Sequence, residues 1–557
     1  MSRATIEGLL FPTARMNRTW TIGSWLVASL VGAPLLVVLW ALLAQPSENW
    51  PHLRETVLAG YVANTVVLAV AVGFLSAIIG IACAWTVATR DFPGKRILSW
   101  ALVLPLATPA YVVAYVYTDL FEFAGPVQTA LRAVTGWEGG DYSFPPIRSL
   151  GGAVAMLSLV LYPYIYLLAR TNFETQAASL VDAARVLGAS STRAFFTVAL
   201  PASRPVIAGG VALAMMETVA DYGVVEYFGV STFTTGIFRT WFALGDRGAA
   251  LQLAGWLFLA VAVLIVAEQG ARRGGYGNPI ARTAPPVPKR LKGFRALLAT
   301  LGCALPVLLG LVVPLIVLAR YAALVGDPLL GRSFADFAGA TFGVAGTAAI
   351  LATLLALGLA YGARLDPRPA NRFALRFATL GYALPGAVIA VGVLAPLAAL
   401  DKSLARFLNT QFDLGVGLLM TGTVAALVFA YLVRFLTVAY NACQGGLEKV
   451  NRHLDDAARN LGARPGRVLR DIHFPLMRGA VASAALLVFI DVTKELPATL
   501  ILRPFNFETL ATRVYRLASD ERLAEASTAA LAIVALGLLP AVLLGVSTWR
   551  SRDKMAE

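Results

Sequence analysis

Charge is scarce in this chain: 14% of its 557 residues are Asp, Glu, Lys or Arg, against about 25% in a soluble domain. That excludes an ordinary soluble enzyme. Imidazole and thiol are scarcer still. The three His (His52, His453, His473) and three Cys (Cys83, Cys303, Cys443) show neither a C-x-x-C pair nor metal-ligand spacing, so no zinc site or disulfide framework is supported. A G-x-x-x-x-G-K-[ST] phosphate loop is also missing, so the chain is not its own ATP motor and needs no cofactor of its own. What is abundant is apolar: 58% of the residues are hydrophobic.

A membrane-spanning helix takes about 20 apolar residues. Runs of that length fall near 22–44, 61–88, 97–121, 150–169, 204–228 and 250–268, and again near 296–319, 341–363, 373–400, 415–441, 478–502 and 524–546. The expectation is an all-α membrane protein with about twelve spans, six and six, the first being an uncleaved anchor. Pro105, Pro109, Pro385 and Pro497 lie inside runs, where neighbouring helices can satisfy the freed backbone groups. With the N-terminus on the cytoplasmic side, the C-terminus is there too, and the cytoplasmic segments hold 31 of the 46 Lys and Arg. This is the positive-inside pattern of an inner-membrane protein. It accounts for the net charge of +14 without nucleic acid.

The sequence repeats itself at an offset of 274 residues: DAARVLGAS (182–190) matches DAARNLGAR (456–464) at seven of nine positions. The register continues without a gap. Pro201 meets Pro475, Arg204 meets Arg478, Phe233 meets Phe507, Thr235 meets Thr509 and Arg239 meets Arg513. With six spans in each copy, both enter the membrane the same way, a parallel repeat. Expected domains are 1–268 and 296–557, joined by a basic cytoplasmic linker, 269–295, whose stretch from Gly270 carries seven Lys and Arg and no acid. That linker is read as solvated, with an anionic-lipid patch as the alternative.

In each copy a short motif falls on the predicted cytoplasmic side: Asp182, Ala183, Ala184, three residues, then Gly188; and Asp456, Ala457, Ala458, three residues, then Gly462. Two alanines allow close approach of another protein surface, the Gly permits a sharp turn between short helices, and Pro201 or Pro475 marks entry to the next span. The spacing resembles the "EAA" loop of binding-protein-dependent ABC importer permeases, with Asp in place of the usual Glu. The resemblance implies the type I permease fold. It also implies that each loop is a coupling helix seated on a separate ATPase, two copies in all, which would bind the ATP and Mg. Arg185 and Arg459 are the expected ionic contacts. The other reading is an amphipathic hairpin packed on its own bundle.

The stretches 216–242 and 491–527 resemble those of fused ferric-iron importer permeases, which implies ferric iron as cargo and a periplasmic substrate-binding protein as partner. A physical argument stands beside it. Glu217 aligns with Asp491 and Asp221 with Glu495, which the spacing places at i and i+4 of one helix face, with Lys494 adjacent. Four acids at membrane depth suit a hard cation. They could equally lock the bundle through Lys494, other cations or helix ends. Arg239 and Arg513 are candidate docking contacts for the binding protein, or belong to interfacial segments over the pore mouth with Trp241 and Tyr515 at headgroup level. The chain is expected to catalyse no bond chemistry. Rival readings are a permease for thiamine or another small solute, a secondary transporter using the acids as proton sites, and a membrane enzyme.

Overall fold

The computed structural model describes residues 3–273, 288–325 and 332–556. Residues 274–287 of the expected linker fall outside them. Among the described residues nearly everything ordered is helix, as Leu-, Ala- and Val-rich runs without internal caps dictate in a solvent that leaves backbone groups no outside partner. Among the described residues ten helices are long and apolar enough to cross a bilayer. In chain order they are α1 (Thr19–Leu43), α2 (Leu58–Thr89), α3 (Leu150–Glu174), α4 (Ser191–Ala220), α5 (Arg247–Ala271), α6 (Phe294–Leu324), α7 (Phe334–Leu365), α8 (Gly386–Phe412), α9 (Val424–Glu448) and α10 (Pro465–Thr493).

The run expected at 97–121 is a broken span: Lys95–Ala107 and Ala110–Thr135 meet at 93°. Pro109 stands at the break with ψ 134° and caps the following helix. The aligned run of the second half is interrupted likewise, by Pro369–Ala378, a short 3₁₀ turn at Gly381–Ala383, and Pro385 before α8. A terminal apolar helix, Leu523–Leu539 within the described side chains, is shorter than the others.

The chain forms two compact units that do not coincide with the two sequence halves. One comprises residues 48–244, 259–334 and 510–557. Its centre is α2, α3 and α4, which approach closely at glycine: a Cβ on Gly80 would lie 3.0 Å from the Tyr162 carbonyl oxygen, and one on Gly210 2.9 Å from Ile165 Cα. Helix α6, which begins the second sequence half, packs into this unit, burying Cys303, Leu311 and Leu318 and accepting at Leu309 O a 2.8 Å bond from the Tyr117 hydroxyl.

The other unit comprises residues 1–47, 245–258 and 335–509. Here α1, from the first sequence half, lies against α8, where a Cβ on Gly392 would come within 2.8 Å of the Pro34 carbonyl oxygen. Its Trp20 meets Tyr361 edge-on at 5.2 Å, and Thr21 donates to Asp366. The helix opening each half therefore buries its apolar face in the unit built mainly from the other half.

Candidate functional site

The two aligned motifs fold alike. Helix Gln176–Val186 closes with Gly188 N–H donating to Arg185 O (3.0 Å) and Ala189 N–H to Ala184 O (3.0 Å). Helix His453–Asn460 closes with Gly462 N–H donating to Arg459 O (2.9 Å) and Ala463 N–H to Ala458 O (2.9 Å). This paired bonding is the Schellman closure, whose next-to-last residue must be left-handed. Gly188 (φ 87°) and Gly462 (φ 78°) supply it. No atom would contact a Cβ at either glycine, so the requirement comes from the backbone and not from packing.

Immediately before each glycine an apolar side chain points outward: Leu187 is 87% exposed and Leu461, its aligned partner, 89%. Ala183 and Ala457 are exposed as the close-approach reading requires. The second alanine is not: Ala458 is buried and Ala184 half-buried, because a short helix lying against the bundle turns every third or fourth residue inward. Arg185 lies 3.9 Å from Asp182 and Arg459 3.7 Å from Asp456, both pairs exposed. Such pairs are worth less than about 1 kcal/mol, so either guanidinium can turn to another partner at small cost.

Each loop feeds a π-helical turn at its entry to the next span, Phe195–Ala199 before Leu200 and Leu469–His473 before Phe474, again 274 residues apart. The anchoring beneath the loops differs. In the second half Arg364 contacts Asp455 at 2.7 Å and donates to the carbonyls of Leu447 and Val450, while His473 Nε2 lies 2.6 Å from Asp455. Tyr361 donates to Pro465 O (2.9 Å). The aligned first-half residues are Arg90, Val181, Ala199 and Val87, which keep only the cation. There the π turn is held by rings, with Trp85 4.9 Å from Phe195 and 5.4 Å from Phe173.

The membrane-depth acids do not share one helix face, contrary to the i, i+4 expectation. Helix α4 ends at Ala220, and Asp221, with ψ 139°, turns its carboxylate onto the N–H groups of Val224 (3.0 Å) and Val225 (3.2 Å), opening the short helix Gly223–Tyr227. Glu495 does the same after α10. It accepts from Ala498 and Thr499 N–H at 3.1 Å each, at the start of helix Pro497–Leu502. Orphan N–H groups at a helix start attract an acid, and that local demand bends the fifth span of each half.

In the second half each acid meets a cation. Glu495 also meets Arg434 at 2.8 Å, in a space that Gly386 leaves open, since a Cβ there would lie 2.2 Å from the guanidinium. Lys494 meets Asp491 at 3.0 Å. The positions aligned with Arg434 and Lys494 in the first half are Val160 and Ala220. Arg434, Arg364, Asp455 and His473 escaped the sequence reading, although single charges within or beside apolar runs were a usable signal. Among the described residues, no group of three or more His, Cys, Asp or Glu is placed to hold a metal.

Of the two docking candidates, Arg239 has a 44% exposed side chain, 3.5 Å from Glu226. Arg513 is only 2% exposed and presents nothing to a docking partner. It lies on the inward face of the amphipathic helix Leu510–Ser519 with Leu510, Val514 and Leu517. Its neighbour Tyr515 meets Tyr222 hydroxyl to hydroxyl at 3.2 Å.

Residues 76–267 and 356–549 each match the family described as binding-protein-dependent transport system inner membrane component. An Fe(3+)-transport system permease protein of Haemophilus influenzae is 26% identical over 93% of this chain and 97% of its own length. A second protein of that organism, named as a ferric transport system permease, is 24% identical over 85% of this chain and 74% of its own. The molybdenum transport system permease protein of Escherichia coli is 31% identical over 35% of this chain and 84% of its own.

Proposed function

Because the chain belongs to the family of binding-protein-dependent transport system inner membrane components, with two copies of the family's domain in one polypeptide, we propose that it is the whole permease of a ferric-iron importer. Two ABC ATPase subunits drive it, one on each Gly-capped loop, and a substrate-binding protein delivers cargo to the opposite, periplasmic face. The observation that carries this reading is the duplicated tip: an exposed leucine beside a left-handed glycine, at 187–188 and again at 461–462. A lone membrane bundle has no use for two such apolar tips in water, whereas a groove on a motor subunit does. When ATP draws the two motors together, the tips move with them and the helices attached through the π turns rock to alternate access. The chain transmits the work of hydrolysis and performs no bond chemistry itself. Its orientation, with both termini on the motor side, follows from the Lys and Arg bias.

Ferric iron is supported by the two relatives named for it and by the acids at 217 and 221, oxygen donors at membrane depth of the kind a hard cation takes. Molybdate would meet repulsion there. In proteoliposomes carrying the assembled transporter, Glu217→Gln should lower uptake of radioactive ferric iron about tenfold with ATP hydrolysis retained. Asp491→Asn, whose acid is already paired with Lys494, should cost much less. Equal and normal uptake by both would remove the acids from the pathway. Docking through Arg239 predicts that binding-protein affinity falls as salt rises, since exposed charges are screened beyond about 8 Å at 0.15 M. An affinity independent of salt would exclude an ionic contact there. Thiamine or another small solute is the competing cargo, and the ligand that co-purifies with the cognate binding protein decides between them.

A further inference from the structure

Where the second sequence half begins, the chain is tied to the turn after α2. Arg90–Asp91 and Lys289–Arg290 run side by side as two-residue parallel strands, Leu291 N–H donates to Asp91 O (2.8 Å), and Thr300 donates to Pro93 O (2.9 Å). These ties enclose an open groove of about 770 Å³, walled by Asp91, Phe92 and Pro93 on one side and by Arg290, Leu291, Lys292 and Leu297 on the other. Neither Arg290 nor Lys292 forms an ion pair among the described residues. Within six positions of the strands lie Arg90, Lys95, Arg96, Lys289 and Arg295, with Asp91 as the acid. Arg90 adds uncompensated charge: its aligned residue Arg364 is neutralised by Asp455, but the position aligned with Asp455 is Val181.

From the groove an apolar stripe runs down α6. Phe294, Leu297, Leu298, Leu301 and Leu305 are each more than half exposed and share one helix face. Its twelve-residue length spans about 18 Å, close to the ~15 Å of one leaflet's hydrocarbon. A cationic cup at the membrane boundary that continues into a leaflet-long apolar stripe has the shape of an amphiphile. We propose that this groove binds an anionic phospholipid, its phosphate between Arg290 and Lys292 and its acyl chains along Phe294–Leu305 of α6. A soluble anion would use the cup and leave the stripe idle. The lipid would brace the junction of the two sequence halves independently of which cargo the transporter carries.

The test uses the full chain, purified in detergent and titrated with phosphatidylglycerol or phosphatidylcholine while native mass spectrometry counts bound lipid. Wild type should hold phosphatidylglycerol at least tenfold more tightly than phosphatidylcholine. In R290Q/K292Q the phosphatidylglycerol affinity should fall about thirtyfold, at ~1 kcal/mol for each lost cation, with thermal unfolding unchanged. Arg467→Gln, an exposed cation elsewhere, should change neither. Three results would each overturn the proposal: an unaltered phosphatidylglycerol affinity in R290Q/K292Q, equal retention of phosphatidylcholine by wild type, or displacement of phosphatidylglycerol by an equal concentration of inorganic phosphate.

Discussion

Replacing both Gly188 and Gly462 with valine should abolish ATP-driven uptake while leaving the chain inserted in the membrane. Both glycines sit at φ near +80°, where a side chain costs about 1–2 kcal/mol and a β-branched one more. Nothing packs against either site, so the bundle loses no contact. The strain is relieved by opening the helix closure, which swings Leu187 and Leu461 away from where a motor groove would receive them. The expected signature is ATP hydrolysis without uptake, a loss of at least tenfold in transported cargo per ATP, with each single variant intermediate. Alanine, which tolerates the left-handed region better, should be milder than valine. Proteoliposomes reporting hydrolysis and uptake together check this, and undiminished coupling in the double variant would remove these loops from the drive.

The second large effect concerns Arg364. Its contact with Asp455 is nearly dry, each side chain 8% exposed, and His473 beside it is fully buried. Removing one member of such a pair leaves a stranded charge and typically costs 3–5 kcal/mol. Arg364→Met should therefore lower the unfolding temperature of the detergent-solubilised chain by several degrees and loosen the second loop. Adding Asp455→Val and His473→Ala, the residues the first half carries at 181 and 199, should recover most of the loss. Failure of the triple variant to recover would show that Arg364 stabilises through the Leu447 and Val450 carbonyls instead.

Features that rest on local chemistry were legible before the structure. The Gly-to-motif spacing encodes a backbone conformation that only a few residues separate from its helix, so 188 and 462 were found from sequence. The bends at 220–223 and 493–497 were not. Apolar residues continue through them, and an acid four residues after another looks the same whether it faces a pore or caps a new helix; Pro497, expected as a tolerated proline inside a span, instead starts such a helix. Arg513 was misplaced for a related reason. Alignment with Arg239 equated two side chains whose helices present different faces, and only the phase of Leu510, Val514 and Leu517 reveals the difference. The packing of α1 and α6 into the opposite units lies beyond any local signal, because both are evenly apolar and fit either partner by composition.

A π turn is an α-helix holding one residue more than its ladder requires. At about 100° per residue, the extra residue in Phe195–Ala199 and in Leu469–His473 decides which way everything beyond it faces, Glu217 and Asp491 included. Deleting a single residue from either turn would leave span length, composition and loop intact while rotating that span's far end by more than a quarter circle. The two turns therefore act as phase settings, matched between the halves, that tie the azimuth of the membrane-depth acids to the loops outside.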